Sequence, residues 1–232
     1  MEAIAIDRPG WDGRTSPTDL PGNVRAAIAA LDRQDVERAT VVGHSLGAAV
    51  AAWMAVDHPE RVAGLVLTSP AANLASLYAL DRWLAVPVAG YLASVAALAG
   101  LGLALTAGPV RRRIADDLAV DDSHLETAGR RLLSPAAWRA FTNEQRALVR
   151  DLPALEDRLG QISVPTTIVA GSADRIVPRN AAQRLADQVP GAELVLLPDA
   201  GHLLPFQHAR RLAEIIAGRD GHEPTRSGRR LP

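Results

Sequence analysis

Residues 39–53 read ATVVGHSLGAAVAAW, and this stretch leaves the chain few folds to choose from. A β-branched run (39–42) reads as a buried strand, and the small-residue run 46–57 as a helix stopped by Pro59. Between them Ser45 sits in a G-x-S-x-G sequence, flanked by Gly43 and Gly47. A side chain held at the apex of so sharp a strand-to-helix turn needs glycine on either side, because a Cβ there would strike the strand or the helix. The Ser45 hydroxyl then stands clear of the backbone, and the N–H of Leu46 points at the same reacting atom. Alanines at 48, 49, 51 and 52 let the helix lie close to a sheet.

The rest of the chain repeats the alternation. AIAI (3–6) reads as a strand, followed by a loop rich in proline and glycine. Helical spacing runs over 20–32 through Val24, Ile28 and Leu31, and VAGLVL (62–67) is a further strand. After 165 come a strand (166–170), a helix (179–189), a strand (192–197) and a closing helix (205–217). Strands alternating with helices predict an α/β fold with a mostly parallel sheet flanked by helices. Residues 74–160 contain no clear strand and read as a helical lid inserted between a first core part (1–73) and a second (161–217). The polar, basic stretch 218–232 reads as a disordered tail.

Composition removes several function classes. Cysteine is absent, and with it disulfides, thiol nucleophiles and cysteine-ligated metals. All 25 basic residues are arginine, so no lysine is available for Schiff-base chemistry. A formal net charge of −1 gives no field that would draw the chain as a whole to nucleic acid or anionic lipid. No metal cluster, phosphate-cradling loop or nucleotide fingerprint is present, so no cofactor is expected. The opening residues lack a signal-peptide pattern, which predicts a cytoplasmic protein.

Residues 83–107 carry no charge, enough length to cross a bilayer. A single crossing would put Ser45 on one side and the later strands of its own sheet on the other. Apolar lid helices packed on a core are therefore the expectation, with contact to a lipid surface the lesser reading.

A serine hydroxyl needs a base, itself oriented by an acid. Of six histidines, His202 is the candidate base, since LVLLPDAGHLLPF places it in a loop just after a strand, on the edge that carries Ser45. Asp174, in the loop after TTIVA, is the candidate acid; Asp199 competes but reads better as a turn former. The chain order Ser45, Asp174, His202, carried by IAIDRPGWDGRTS, VVGHSLGAAVAA, VPTTIVAGSADRIVP and LLPDAGHLLPF, resembles the α/β-hydrolase superfamily.

That resemblance implies Ser45 as nucleophile, His202 as general acid/base, Asp174 as its orienting acid and the Leu46 N–H as one oxyanion donor. It implies an acyl-enzyme route on a small apolar acyl substrate such as an ester or lactone, with thioester, amide, activated C–C and perhydrolase chemistry within reach of the same residues. It also implies about three strands before AIAI and a His-Gly-type loop giving a second oxyanion N–H; neither is found in this sequence, so the core is expected to be incomplete at its amino end. Two other readings stay open: a non-catalytic scaffold of the same fold, and a lipid hydrolase working at a membrane surface.

Overall fold

Four of the five β-branched or apolar runs become strands in the computed structural model, which describes residues 3–118 and 120–220. They are β1 (Ala39–His44), β2 (Val62–Thr68), β3 (Thr166–Gly171) and β4 (Glu193–Leu197), in a parallel sheet of order β1-β2-β3-β4. Alternation along the strands sends residues to opposite faces. Leu65, Leu67 and Ile168 enter a large core with α1 (Leu20–Asp32) and α2 (Leu46–Asp57). Val66 and Val169 enter a smaller one beneath α9 (Leu204–Gln207) and α10 (Ala209–Asp220). Both faces are covered, as a parallel sheet requires.

The sheet meets α2 through alanine. Ala48, Ala49, Ala51, Ala52 and Ala55 are all buried, so the helix backbone comes close to the strands. Asp19 caps α1, its side chain accepting from the Gly22 N–H at 2.8 Å.

Three expectations are corrected. Residues 3–6 form no strand, and β1 is the sheet's edge with Val42 exposed. This segment is tied to the helical insertion instead: the Arg131 guanidinium pairs with Asp7 at 3.6 Å and donates to the Trp11 carbonyl at 2.8 Å. The closing helix is two helices, because the backbone leaves helical geometry at His208 (φ −132°). The expected tail begins too early, since α10 continues to Asp220; the remainder, 221–232, lies outside the described residues.

Between β2 and β3 the chain builds α3 (Ala79–Leu84), α4 (Ala89–Thr106), α5 (Gly108–Leu118), α6 (Asp122–Leu132) and α7 (Pro135–Glu156), followed after β3 by α8 (Arg179–Gln188). Glycines set the crossing of α4 on α6. A Cβ on Gly102 would come within 2.9 Å of the Gly129 carbonyl, and one on Gly129 within 2.8 Å of Leu105 Cβ. α7 carries Glu144 into the interior, and that carboxylate anchors the loop after residue 6. It accepts from Arg8 Nε at 2.6 Å, Arg8 Nη2 at 3.2 Å and Trp11 Nε1 at 2.7 Å.

Candidate active site

The chain reverses from β1 into α2 within one residue. Ser45 has φ 54° and ψ −122°, a left-handed conformation rare for a residue with a side chain. Hydrogen bonds to the neighbouring strand hold the strain. The Ser45 N–H donates to the Thr68 carbonyl at 3.0 Å, and the Ser45 carbonyl accepts from Ala71 and Ala48 N–H at 3.1 and 2.9 Å. Gly43 is required here, because its Cβ would lie 2.7 Å from Ala48 Cα. Gly47 is not: a Cβ there meets nothing within 4 Å, so the steric reason expected for both glycines applies to Gly43 alone. Leu46 opens α2, leaving its N–H free of a helical partner and directed out of the helix N-terminus.

Asp174 and His202 come together. His202 Nδ1 lies 2.8 Å from Asp174 Oδ2, and the two side chains are 8% and 5% exposed. The other carboxylate oxygen accepts from the Ile176 and Val177 N–H groups at 2.8 and 3.0 Å. Burial alone would raise the Asp174 pKa; the hydrogen bond from His202 and those two N–H groups outweigh it and hold the carboxyl below its ordinary range. Gly171 makes this meeting possible, because a Cβ at the end of β3 would sit 2.6 Å from the Gly201 carbonyl, in the loop that presents His202. Asp199 is exposed with φ 56°, a turn residue as expected.

All three candidate residues stand at the carboxyl edge of the sheet: Ser45 after β1, Asp174 after β3 and His202 after β4. The Ser45 hydroxyl makes no hydrogen bond among the described residues, so the pair that is closed is Asp174–His202. Catalytic hydrogen bonds are often long before substrate arrives.

Several neighbours were not legible in the sequence. Ser69, at φ 43° after β2, donates from its hydroxyl to the His202 carbonyl at 3.0 Å and from its N–H to the Val169 carbonyl at 2.8 Å. Its only sequence signal is the Ser-Pro that ends a strand. The His44 ring lies 5.0 Å from that of His202, tilted by 50°, with Nδ1 3.1 Å from Thr68 Oγ1. A cavity of about 320 Å³ opens between the loop carrying Arg8 and Trp11 and the α6 residues Arg131 and Leu132. Another, of about 190 Å³, lies beside Asp174 against Ser69, Pro70 and Val177.

Burial, and then the charge of His202, push the His44 pKa down to about 4, against the Thr68 hydrogen bond and Asp174. The unfolded chain takes up this proton first as pH falls from about 6.5, so His44 costs no stability above that pH and progressively more between 6.5 and 4. We expect about 2–3 kcal/mol of the fall in unfolding free energy from pH 7.5 to 4.5 to come from this residue. Urea titrations of wild type and His44→Asn at the two pH values check it: the fall should be shallower in the variant.

Comparison with known proteins identifies the family. A sequence model described as alpha/beta hydrolase family matches residues 2–215. A 2-hydroxymuconate semialdehyde hydrolase of Pseudomonas putida is 30% identical over 219 residues, covering 92% of this chain and 74% of that protein. A 2-hydroxy-6-oxononadienedioate/2-hydroxy-6-oxononatrienedioate hydrolase of Cupriavidus pinatubonensis is 27% identical over 228 residues, with the same coverage. Among solved structures, an N-acyl homoserine lactone degrading enzyme superimposes with a TM-score of 0.64 at 26% identity, over 92% of this chain and 80% of that one. A strand-to-helix turn with a left-handed serine, a buried Asp–His pair on the same sheet edge, and named hydrolases as relatives converge: this chain is an enzyme of the alpha/beta hydrolase family.

Proposed function

We propose that the chain is a serine hydrolase that cleaves small apolar acyl substrates, esters or lactones, through an acyl-enzyme. The observation that carries the reading is the buried 2.8 Å contact between Asp174 and His202 Nδ1, which leaves Nε2 of that ring as the available base. Ser45 Oγ attacks the substrate carbonyl carbon as its proton passes to His202 Nε2. The carbonyl oxygen, now an oxyanion, accepts from the Leu46 N–H. Collapse expels the alcohol, which takes the proton back from His202. Water, deprotonated by the same ring, then releases the acid and restores Ser45.

Asp174 keeps the imidazole in one tautomer and stabilises its cationic form in passing. Its depressed pKa supports this role, because it stays ionised while the ring takes up a proton. The apolar lid supports a substrate with little charge, and the lactone-degrading structural relative supports cyclic or open-chain esters. The names of the sequence relatives support one further reading on the same residues, hydrolysis of an activated carbon–carbon bond.

Covalent labelling by a fluorophosphonate tests the proposal directly. Intact-mass spectrometry should find one adduct on wild type and none on Ser45→Ala. A folded wild-type chain that takes up no label would leave a hydrolase-fold scaffold as the reading. If it labels, an aryl ester, an acyl lactone and a 2-hydroxy-6-oxodienoate assayed side by side separate the substrate classes.

A further inference from the structure

α4 is apolar on two faces, and only one of them is covered. Gly90, Ser94, Leu98, Gly102 and Leu105 form its buried stripe, against the rest of the lid. The opposite stripe runs through Ala89, Leu92, Ala96, Gly100, Leu103 and Ala107, all exposed and none charged. Leu92 and Leu103 are each 61% exposed. Among the described residues α4 is the one helix long and apolar enough to cross a membrane, yet it lies within a lid whose two ends are joined by adjacent strands of one sheet, which rules out a simple crossing.

The uncovered face continues past the ends of the helix. Tyr78 and Trp83 are exposed on α3 and just before it, as are Val86 and Val88 in the turn into α4. Val88 holds φ 65°, rare for a β-branched residue, and is 71% exposed. Most of the large hydrophobics exposed among the described residues fall between 74 and 110. Charge around the patch leans positive: residues 78–113 contain four arginines and one aspartate, Asp81 beside Arg82, although the whole chain is at −1. Arg82, Arg112 and Arg113 are exposed. Arg111 is engaged with Asp122 at 2.9 Å, and Asp81 accepts from the Tyr78 N–H at 2.8 Å. Asp116 and Asp117, also exposed, stand a turn further along α5 from Arg112 and Arg113.

An uncharged helical face with tryptophan and tyrosine at one end and arginines at both suits the boundary of an anionic bilayer. There apolar side chains enter the acyl region, aromatic rings rest at headgroup level and guanidinium groups meet phosphate. We propose that the α3–α4 face of the lid docks this protein on anionic phospholipid membranes, lying in the interface rather than spanning it. The proposal stands whether or not Ser45 is a nucleophile.

Flotation of the full chain with vesicles of phosphatidylglycerol and phosphatidylcholine tests it. Wild type should float with mixed vesicles and bind pure phosphatidylcholine at least tenfold more weakly. The double variant Leu92→Asp/Leu103→Asp, altered only at exposed positions, should lose binding more than a hundredfold with an unchanged circular dichroism spectrum. Each of Arg112→Gln and Arg113→Gln should weaken it about fivefold. Trp83 emission should shift to the blue on vesicles, a shift absent from Trp83→Phe. Failure of folded wild type to float overturns the proposal. So does a concentration-dependent dimer, dispersed by the same aspartates, that binds no vesicle; the face would then belong to a second copy of the chain.

Discussion

On the proposed acyl-enzyme route, Asp174→Asn is expected to lower turnover of an ester substrate by about 10³–10⁴-fold while the protein stays folded. The substitution keeps an oxygen able to accept from the Ile176 and Val177 N–H groups, so the loop after β3 holds its shape. It removes the charge that faces His202 Nδ1 at 2.8 Å. The ring is then free to carry its proton on the nitrogen that must act as base, and the imidazolium formed during attack loses its counter-charge. Both losses fall on the transition state rather than on substrate binding, so kcat should drop while KM changes little. The rate of fluorophosphonate labelling should fall in parallel, since it uses the same attack by Ser45 Oγ. Steady-state kinetics and labelling time courses on the variant check this together. A KM effect without a kcat effect would place Asp174 in substrate binding and not in the reaction.

The second large effect is on stability. Glu144 is buried, with 7% of its side chain exposed, and is the common acceptor for Arg8 and Trp11. Glu144→Ala leaves the indole N–H without a partner and Arg8, whose side chain is 36% exposed, without its counter-ion. Arg8 can turn toward water, so the cost is less than for a fully buried pair: about 2–3 kcal/mol, a fall in Tm of roughly 5–10 °C. Glu144→Gln keeps an acceptor for Trp11 and should lose about half as much. Thermal unfolding of both variants followed by circular dichroism measures the difference. Because Arg8 also lies near enough to His44 to disfavour its protonation, the loosened loop is expected to alter the site's surroundings as well as the fold.

Much of this fold is written locally. α1 and α2 occupy the residues their spacing predicts, because the cap at Asp19 and the stop at Pro59 are chemical signals within a few residues of each helix. β1 to β4 follow from runs of Val, Ile, Leu and Thr that only a covered parallel sheet can bury. The pairing of Asp174 with His202 was legible for the same reason: both follow strands, and parallel strands present their carboxyl ends on one side. The AIAI segment shows where local reading stops. Its composition suits a strand, but a strand needs a neighbour, and Asp7, Arg8 and Trp11 bind the insertion instead. That outcome was decided by Glu144 and Arg131, over a hundred residues away in the chain. Likewise no periodicity could tell that α4 would cover one apolar face and leave the other open, since both faces read alike. His44 and Ser69 were missed because their importance lies in touching His202, a contact made across three strands.

The register between β2 and β3 has a bearing on how the molecule matures. Leu65 pairs with Thr166 and Thr68 with Val169, and this short ladder joins a half that holds Ser45 and its turn to a half that holds both Asp174 and His202. Each half can assemble from near neighbours in sequence, but the ladder closes only after the whole insertion has been looped out, which makes it a slow, long-range step. A slip of two residues along this seam would still bury apolar side chains on the same faces, and would carry the acid and histidine some 6–7 Å past the serine. A few strand pairs thus act as the vernier of the site: a chain misaligned there could pass for folded by every bulk measure and be chemically silent.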